Sequence, residues 1–466
     1  MPDDVLLEIE SVTDFNVDLR KYPTAFYAVN PFCKKIVTGD GHSHLMKLLY
    51  LPLVFRFIHI AEENYYKILA IYEKQEEYTT EDFNAYDLLI EDIQILDWFA
   101  WIFWIGDVVG DRGEHDYFIL KLMYEYCKKG AKAKFNIGNH DAELIVAMEQ
   151  YPHKRKLELT LMHPMFATSL IALARSLENK TLTFPRVFEL YQKGYLPSTL
   201  FMDCSVNSSG ESLSIYTHAL VGEKEVGCVA EALNFTFSWE NGQFIAHSIA
   251  EINERFDCKI LQAGQLHKYY NPTCYDEVIQ PVVQLTTENI FIFFMWNRNR
   301  SFLQRTKEKN GVLLTWVNGH DREECSHENI INLDYDNLLG ITLSHSSGIM
   351  HSFHTAQLSY RELIAQQAEE ESKSAEESSG DDDFFWQDFC SGGPFVSVDV
   401  ASMKESASVI PKVSSCLLKD KADSSVSGNR IPRAYSSASF FERTKRQRAP
   451  EVEQTKHENP QLFRPE

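Results

Sequence analysis

Five short apolar runs in this chain end in Asp, Asn or His, and that repeated ending restricts the fold more than any other feature. Phe103-Trp104-Ile105 breaks off into Gly106-Asp107-Val108-Val109-Gly110-Asp111-Arg112-Gly113. Lys34-Lys35-Ile36-Val37-Thr38 ends in Gly39-Asp40-Gly41-His42, and Phe135-Asn136-Ile137 in Gly138-Asn139-His140-Asp141. Leu213-Ser214-Ile215-Tyr216-Thr217 ends in His218, and Val312-Leu313-Leu314-Thr315-Trp316-Val317 in Asn318-Gly319-His320. Apolar runs rich in aromatic and β-branched residues read as buried strands. Glycine lets the backbone turn sharply where a strand stops, and open α/β sheets place ligands at the carboxyl ends of their strands. Asp, Asn and His are donors for a hard or borderline metal ion. No tip carries cysteine, which argues against thiolate zinc or iron–sulfur chemistry.

The 466 residues are enough for a large core, and 44% hydrophobic with 24% charged residues fits a globular protein. A formal net charge of -22 argues against nucleic acid as a partner, since polyanions need a basic footprint. Phosphate substrates stay compatible with it, because metal ions supply positive charge locally. Met1-Pro2-Asp3-Asp4 does not resemble a signal peptide. The apolar stretches around 45–59 and 93–105 are too short to cross a bilayer. Nine scattered cysteines without a CxxC pair suggest a reducing cytoplasm.

Residues 45–96 and 142–202 read as mostly helical insertions between the strands. In the first, Leu45, Leu48, Leu49 and Leu53 recur at helical spacing, and Thr79-Thr80-Glu81-Asp82 offers capping residues. It is read as a helical hairpin inserted near the site, with helices that merely pack on the sheet as the alternative. Residues 117–129 read as an amphipathic helix closed by Gly130. Residues 331–335 and 339–344 read as closing strands. The catalytic domain therefore spans 1–364. The tail, 365–466, is acidic and serine-rich, then basic at Arg443-Thr444-Lys445-Arg446-Gln447-Arg448, a composition expected to stay disordered. Within it Phe384-Phe385-Trp386 is a candidate docking motif, and the tail a candidate protein or membrane-surface contact.

Two divalent ions roughly 3.5–4 Å apart can activate a water and clamp a transferring phosphoryl group. Asp107, at the central tip, is the expected bridging ligand. Asp40 and His42 would hold one ion, and Asn139, His218 and His320 the other. His140 could protonate the leaving oxygen, with Asp111 orienting its imidazole. Arg112 and Arg298 carry the planar fork that grips phosphate oxygens.

In this order the motifs resemble those of the metallophosphoesterases. Arg112-Gly113 after the second acidic residue, with Trp296-x-Arg298, is similar to the phosphoprotein-phosphatase branch. The helical insert and the Asp-Arg-Gly-x-x-Asp-Tyr-Phe run at 111–118 resemble the Wip effector phosphatases of Legionella-type bacteria. The resemblance spans about residues 34–345. It implies an α/β fold in a four-layer α-β-β-α sandwich and hydrolysis of phosphomonoesters by direct attack of water. It also implies two divalent ions, manganese first with iron or zinc as alternatives, and a phosphorylated protein substrate. The cytoplasm, with delivery into a host cell as an effector, is the implied location. Three positions depart from the family pattern: Gly110 adds a residue between Asp107 and Asp111, Ser43 replaces glycine, and Asp141 replaces glutamate.

Two rival functions keep the same motifs: a dinucleoside-polyphosphate hydrolase, and an inactive scaffold that binds phosphoproteins. The bland alternative for the six ligands is turn and helix-cap duty, against which their joint order speaks. Arg300, two residues on, competes with Arg298 for the phosphate. His267, His345 and His351 read as structural or exposed, and Cys127 and Cys204 as buried small hydrophobes.

Overall fold

The computed structural model describes residues 6–23, 33–111, 113–207, 209–270, 285–298, 305–320, 329–334 and 347–359. Two units divide the chain, Met1–Asp382 and Asp383–Glu466, and every described residue belongs to the first. The tail with its two motifs, Arg112, Arg300 and the expected strand at 339–344 lie outside the described residues.

The strands, in chain order, are β1 (Leu6–Asp18), β2 (Cys33–Thr38), β3 (Ile58–His59), β4 (Gln94–Ile95), β5 (Trp101–Trp104), β6 (Lys132–Asn136) and β7 (Thr199–Leu200). They continue with β8 (Asp203–Val206), β9 (Ser212–Thr217), β10 (Glu308–Lys309), β11 (Val312–Asn318), β12 (Ile330–Asn332) and β13 (Ser347–Ser359). The first sheet has the order β1-β13-β2-β5-β6-β7, with β2, β5, β6 and β7 parallel and β13 antiparallel to β2. The second runs β10-β11-β9-β8, with β12 also on β11; β9, β11 and β12 are parallel. The sheet therefore reaches beyond the runs legible in the sequence: β1 and β13 pair over thirteen residues, from Leu6↔Ser359 to Asp18↔Ser347.

Alternation along the strands explains the layering. Successive side chains point to opposite faces, so Val37, Phe103 and Ile105 from the first sheet meet Tyr216, Val317 and Leu333 from the second in a small core of their own. Their neighbours Ile36, Ile102, Trp104, Ile215, Leu314 and Trp316 join the main core on the opposite faces, together with the helices. Lys35 is on the inter-sheet face too. Its Nζ is 2.6 Å from Asp203 Oδ2 and 4.3 Å from the centre of the Tyr216 ring, so the buried cation links the sheets with both charge and packing.

The segment between β2 and β5 holds helices α1 (Leu45–Val54), α2 (Glu62–Tyr72) and α3 (Thr80–Glu91), with the two-stranded ribbon β3–β4 closing its base. Thr79 and Asp82 form the cap of α3, Thr79 N–H donating to Asp82 Oδ2 at 2.8 Å and Asp82 N–H to Thr79 Oγ1 at 3.3 Å. Helix α3 packs through Phe83 and Tyr86 on α4 (Asp116–Lys128), and the hydroxyl of Tyr72 in α2 donates to Ser43 O, one residue past His42, at 3.0 Å. The insertion thus supports a loop of the site as well as packing on the fold. Helix α5 (Asn139–Lys154) starts on an expected ligand, and α6 (Thr168–Glu178) and α7 (Phe184–Leu190) follow before β7.

Candidate metal centre

All five strand tips converge at the carboxyl edges of the parallel strands of the two sheets. The contacts between tips explain two of the glycines. Gly106 has φ +136°, and a Cβ there would be 2.5 Å from Nδ1 of His218, the candidate ligand of a different strand. A Cβ on Gly319 would fall onto the Asp40 carboxylate. Each glycine leaves room for a candidate ligand of another motif, and for that reason the tips can close on one point. Asp107 and His320 themselves take positive φ, +47° and +65°, a conformation that bulky residues hold only when their surroundings fix it.

Asp40, Asp107, His218 and His320 each offer a donor atom, all within 4.8 Å of one another. All four are buried. His218 Nδ1 is 3.4 Å from Asp40 Oδ1, and its Nε2 is 3.5 Å from Asp107 Oδ1 and 3.2 Å from Asn139 Oδ1. A second group, His42, Asp111 and His140, adjoins it. His42 Nε2 is 3.7 Å from Asp40 Oδ2, while its Nδ1 is 3.0 Å from Asp111 Oδ2. His140 Nε2 lies 3.7 Å from Asp107 Oδ2 and 3.8 Å from Asp111 Oδ2, so the nearer imidazole to Asp111 is that of His42. His140 N–H, at the start of α5, donates to Asp107 Oδ1 at 2.9 Å, placing a helix N-terminus behind the central carboxylate.

Arg298 closes the second side, its Nε 3.1 Å from His320 Nε2, which is also 3.3 Å from Trp296 O. Trp296 Nε1 donates to the Tyr270 hydroxyl (3.1 Å), which donates to Asn139 O (2.9 Å), so the helix Ile290–Trp296 braces two ligand loops at once.

Two of the three departures have structural partners. Ser43 Oγ donates to Asp116 Oδ1 at 2.5 Å and accepts from Ser169 Oγ at 2.9 Å, a buried network beneath the loop of Asp111. Asp141 accepts from Val108 N–H (3.1 Å), Gly138 N–H (2.8 Å) and the Tyr195 hydroxyl (2.6 Å), tying the second tip to the third.

Sequence reasoning missed Asp334. It is buried just beyond β12, accepts the backbone N–H groups of Asp40 and His320, and forms a third cluster with Asp40 and His42. An acid two residues past the strand was the available signal, but no glycine precedes it as at the other acidic tips.

Burial, then the charges of Asp40 and Asp141, holds the Asp107 carboxyl well above the usual range. Burial and Asp40 push Asp334 up to about 7. Burial lowers His218 to about 4 and His320 well below its ordinary value, leaving neutral imidazoles with lone pairs to give. Crowded carboxylates beside neutral imidazoles are suited to a divalent cation, which offsets the repulsion that burial magnifies. The donor set is oxygen and nitrogen only, as for manganese, iron or zinc.

A family model described as WipA-like, phosphatase domain, matches residues 101–341. That span includes Asp107, Asn139, His218 and His320, while Asp40 and His42 precede it. The crystal structure of the phosphatase domain of the Legionella effector WipB is similar at 25% identity and a TM-score of 0.56, over 62% of this chain and 99% of that one. A cold-active protein-tyrosine phosphatase from a psychrophilic Shewanella species aligns at 14% identity and a TM-score of 0.28, over 72% and 79% of the two chains. No curated protein matches the chain.

Proposed function

The chain belongs to the WipA-like phosphatase family, and from that premise we propose that this phosphatase is a two-metal phosphoprotein phosphatase. The buried cluster of Asp40, Asp107, His218 and His320, assembled from both sheets, is the observation that carries this reading. When bound, two divalent cations would supply an activated water and neutralise charge on the phosphoryl oxygens.

The remaining work falls to the chain. Asp107 holds the middle of the donor set, with its geometry fixed by the N–H of His140. His42 and Asp40 complete one side; Asn139, His218 and His320 complete the other. Amide and imidazole ligands are uncharged and so limit the negative charge an anionic substrate must approach. His140 gives a proton to the departing oxygen of the phosphorylated side chain, with the Asp111 and Asp107 carboxylates 3.8 and 3.7 Å from its Nε2. Arg298 and Arg112 grip the equatorial oxygens. That the similar WipB is a Legionella effector supports the further reading that this chain acts on host phosphoproteins.

The test is hydrolysis of a chromogenic phosphomonoester by protein stripped with a chelator and then reloaded with manganese, iron or zinc. Activity should vanish on stripping and return on reloading. Full activity in verified metal-free protein would reject the two-metal reading.

A further inference from the structure

At the opposite, amino-terminal ends of the same strands lies a surface of different character. Leu96, Trp98 and Phe99 are 51%, 55% and 74% exposed, and Trp101, the first residue of β5, is 37% exposed. Nine large hydrophobic side chains are exposed among the described residues, and four of them fall in these six positions. The turn is built to present them. Asp97 Oδ1 accepts the N–H groups of Phe99 and Ala100 at 2.8 and 3.1 Å, which folds the backbone under the two exposed rings.

The rim is basic. Lys132, opposite Trp101 in the β5–β6 register, holds its Nζ 5.6 Å from the Phe99 ring centre and 5.3 Å from that of Trp101. Lys34 Nζ is 3.8 Å from Asp97 Oδ2, which offsets the one acid in the turn. The indole of Trp98 lies over Gly130, in the Lys128-Lys129-Gly130-Ala131-Lys132 segment. In a chain of net charge -22 the lysines of this surface, Lys34, Lys128, Lys129 and Lys132, outnumber their acidic partners Asp97 and Glu125. At physiological salt only charges within about 8 Å act strongly on one another, so the local sign governs contact.

We propose that this aromatic and lysine surface binds the headgroup region of an anionic phospholipid bilayer. Trp and Phe side chains partition into the interfacial layer, and lysines at the same depth meet the lipid phosphates. A protein partner fits less well, because lysine is depleted from protein–protein interfaces while aromatic residues are enriched; here the two are interleaved. The placement leaves the metal centre, at the other ends of β2, β5 and β6, facing away from the membrane.

The experiment is sedimentation of the full chain with phosphatidylcholine vesicles, with and without phosphatidylserine. The expected result is binding that requires phosphatidylserine, weakens with salt, and shifts tryptophan emission to the blue. The double variant Trp98→Ser/Phe99→Ser should bind about tenfold or more weakly, and Lys132→Glu should also lose binding, while both keep normal turnover of a small phosphoester. No binding at any phosphatidylserine content overturns the proposal, as does binding that both variants retain in full. A dimer in solution that the double variant breaks, without vesicle binding by the parent chain, assigns the surface to a second copy and also overturns it.

Discussion

The carboxylate of Asp334 accepts the backbone N–H of Asp40 at 2.8 Å through one oxygen, and through the other it accepts the N–H of His320 at 3.1 Å. One side chain therefore fixes ligand loops that belong to different sheets. Asp334→Ala should weaken metal affinity by about 10–100-fold, the usual effect of removing an outer partner of a ligand. Asp334→Asn keeps one oxygen acceptor and should lose less. Chelator competition measures both; unchanged affinity in the alanine variant would show that the loops hold without it.

His140→Ala should keep its metal while turnover falls by about two to four orders of magnitude. His140 sits 7% exposed at the edge of the centre, beside Asp107 and Asp111. The loss should shrink for a substrate whose leaving group needs no proton. Equal losses on good and poor leaving groups would assign His140 to positioning rather than proton transfer.

Arg298→Ala should raise KM and lower kcat together, since a phosphate clamp acts in the ground state and the transition state. Its Nε contact with His320 puts the guanidinium at the rim of the ligand set. Arg300→Ala is the control, and an effect at Arg300 without one at Arg298 would reverse the assignment.

His115 caps α4, its Nδ1 accepting the N–H of Tyr117 at 3.1 Å, with Ser176 Oγ 3.0 Å from its Nε2. Burial lowers it to about 3 from an ordinary 6.5. The folded state therefore keeps it neutral while the unfolded chain takes up a proton below about pH 6.5, so stability declines as pH falls from there toward 3. One such group contributes a slope of about 1.4 kcal/mol per pH unit. His115→Asn retains a capping acceptor without the titration, so denaturant unfolding from about pH 6 to pH 4 should show a shallower decline than the parent. Parallel declines would mean that His115 is not protonated on unfolding.

The converging strand tips were legible because each combines an apolar strand with a donor-type residue at its end, and four also place glycine beside that residue. Both halves of that pattern have a physical cause: the strand is buried in a sheet, and glycines such as Gly106 and Gly319 clear space for His218 and Asp40. Asp334 lacked the glycine and was passed over. Residues 1–33 read as β-rich, as β1 shows, but its pairing with β13 was missed because the partners are more than 300 residues apart, and no local pattern records such a pairing. The 93–105 stretch shows another limit. Its apolar character is broken only at Gln94 and Asp97, yet Ile102, Phe103 and Trp104 enter the cores while Trp98 and Phe99 stand in solvent. Composition cannot tell where a strand leaves its sheet.

The small core between the sheets, six fully buried side chains among the described residues, has a mechanical consequence. Asp40, Asp107 and Asn139 hang from one sheet, His218 and His320 from the other, so cations at the centre would act as a rivet through a thin seam. Loading should then slow amide exchange in β9 and β11 along their whole length rather than at the tips alone. Withdrawing the cations would let the halves breathe against each other, with the Lys35–Asp203 ion pair and the hydrogen bonds of Asp334 still joining them.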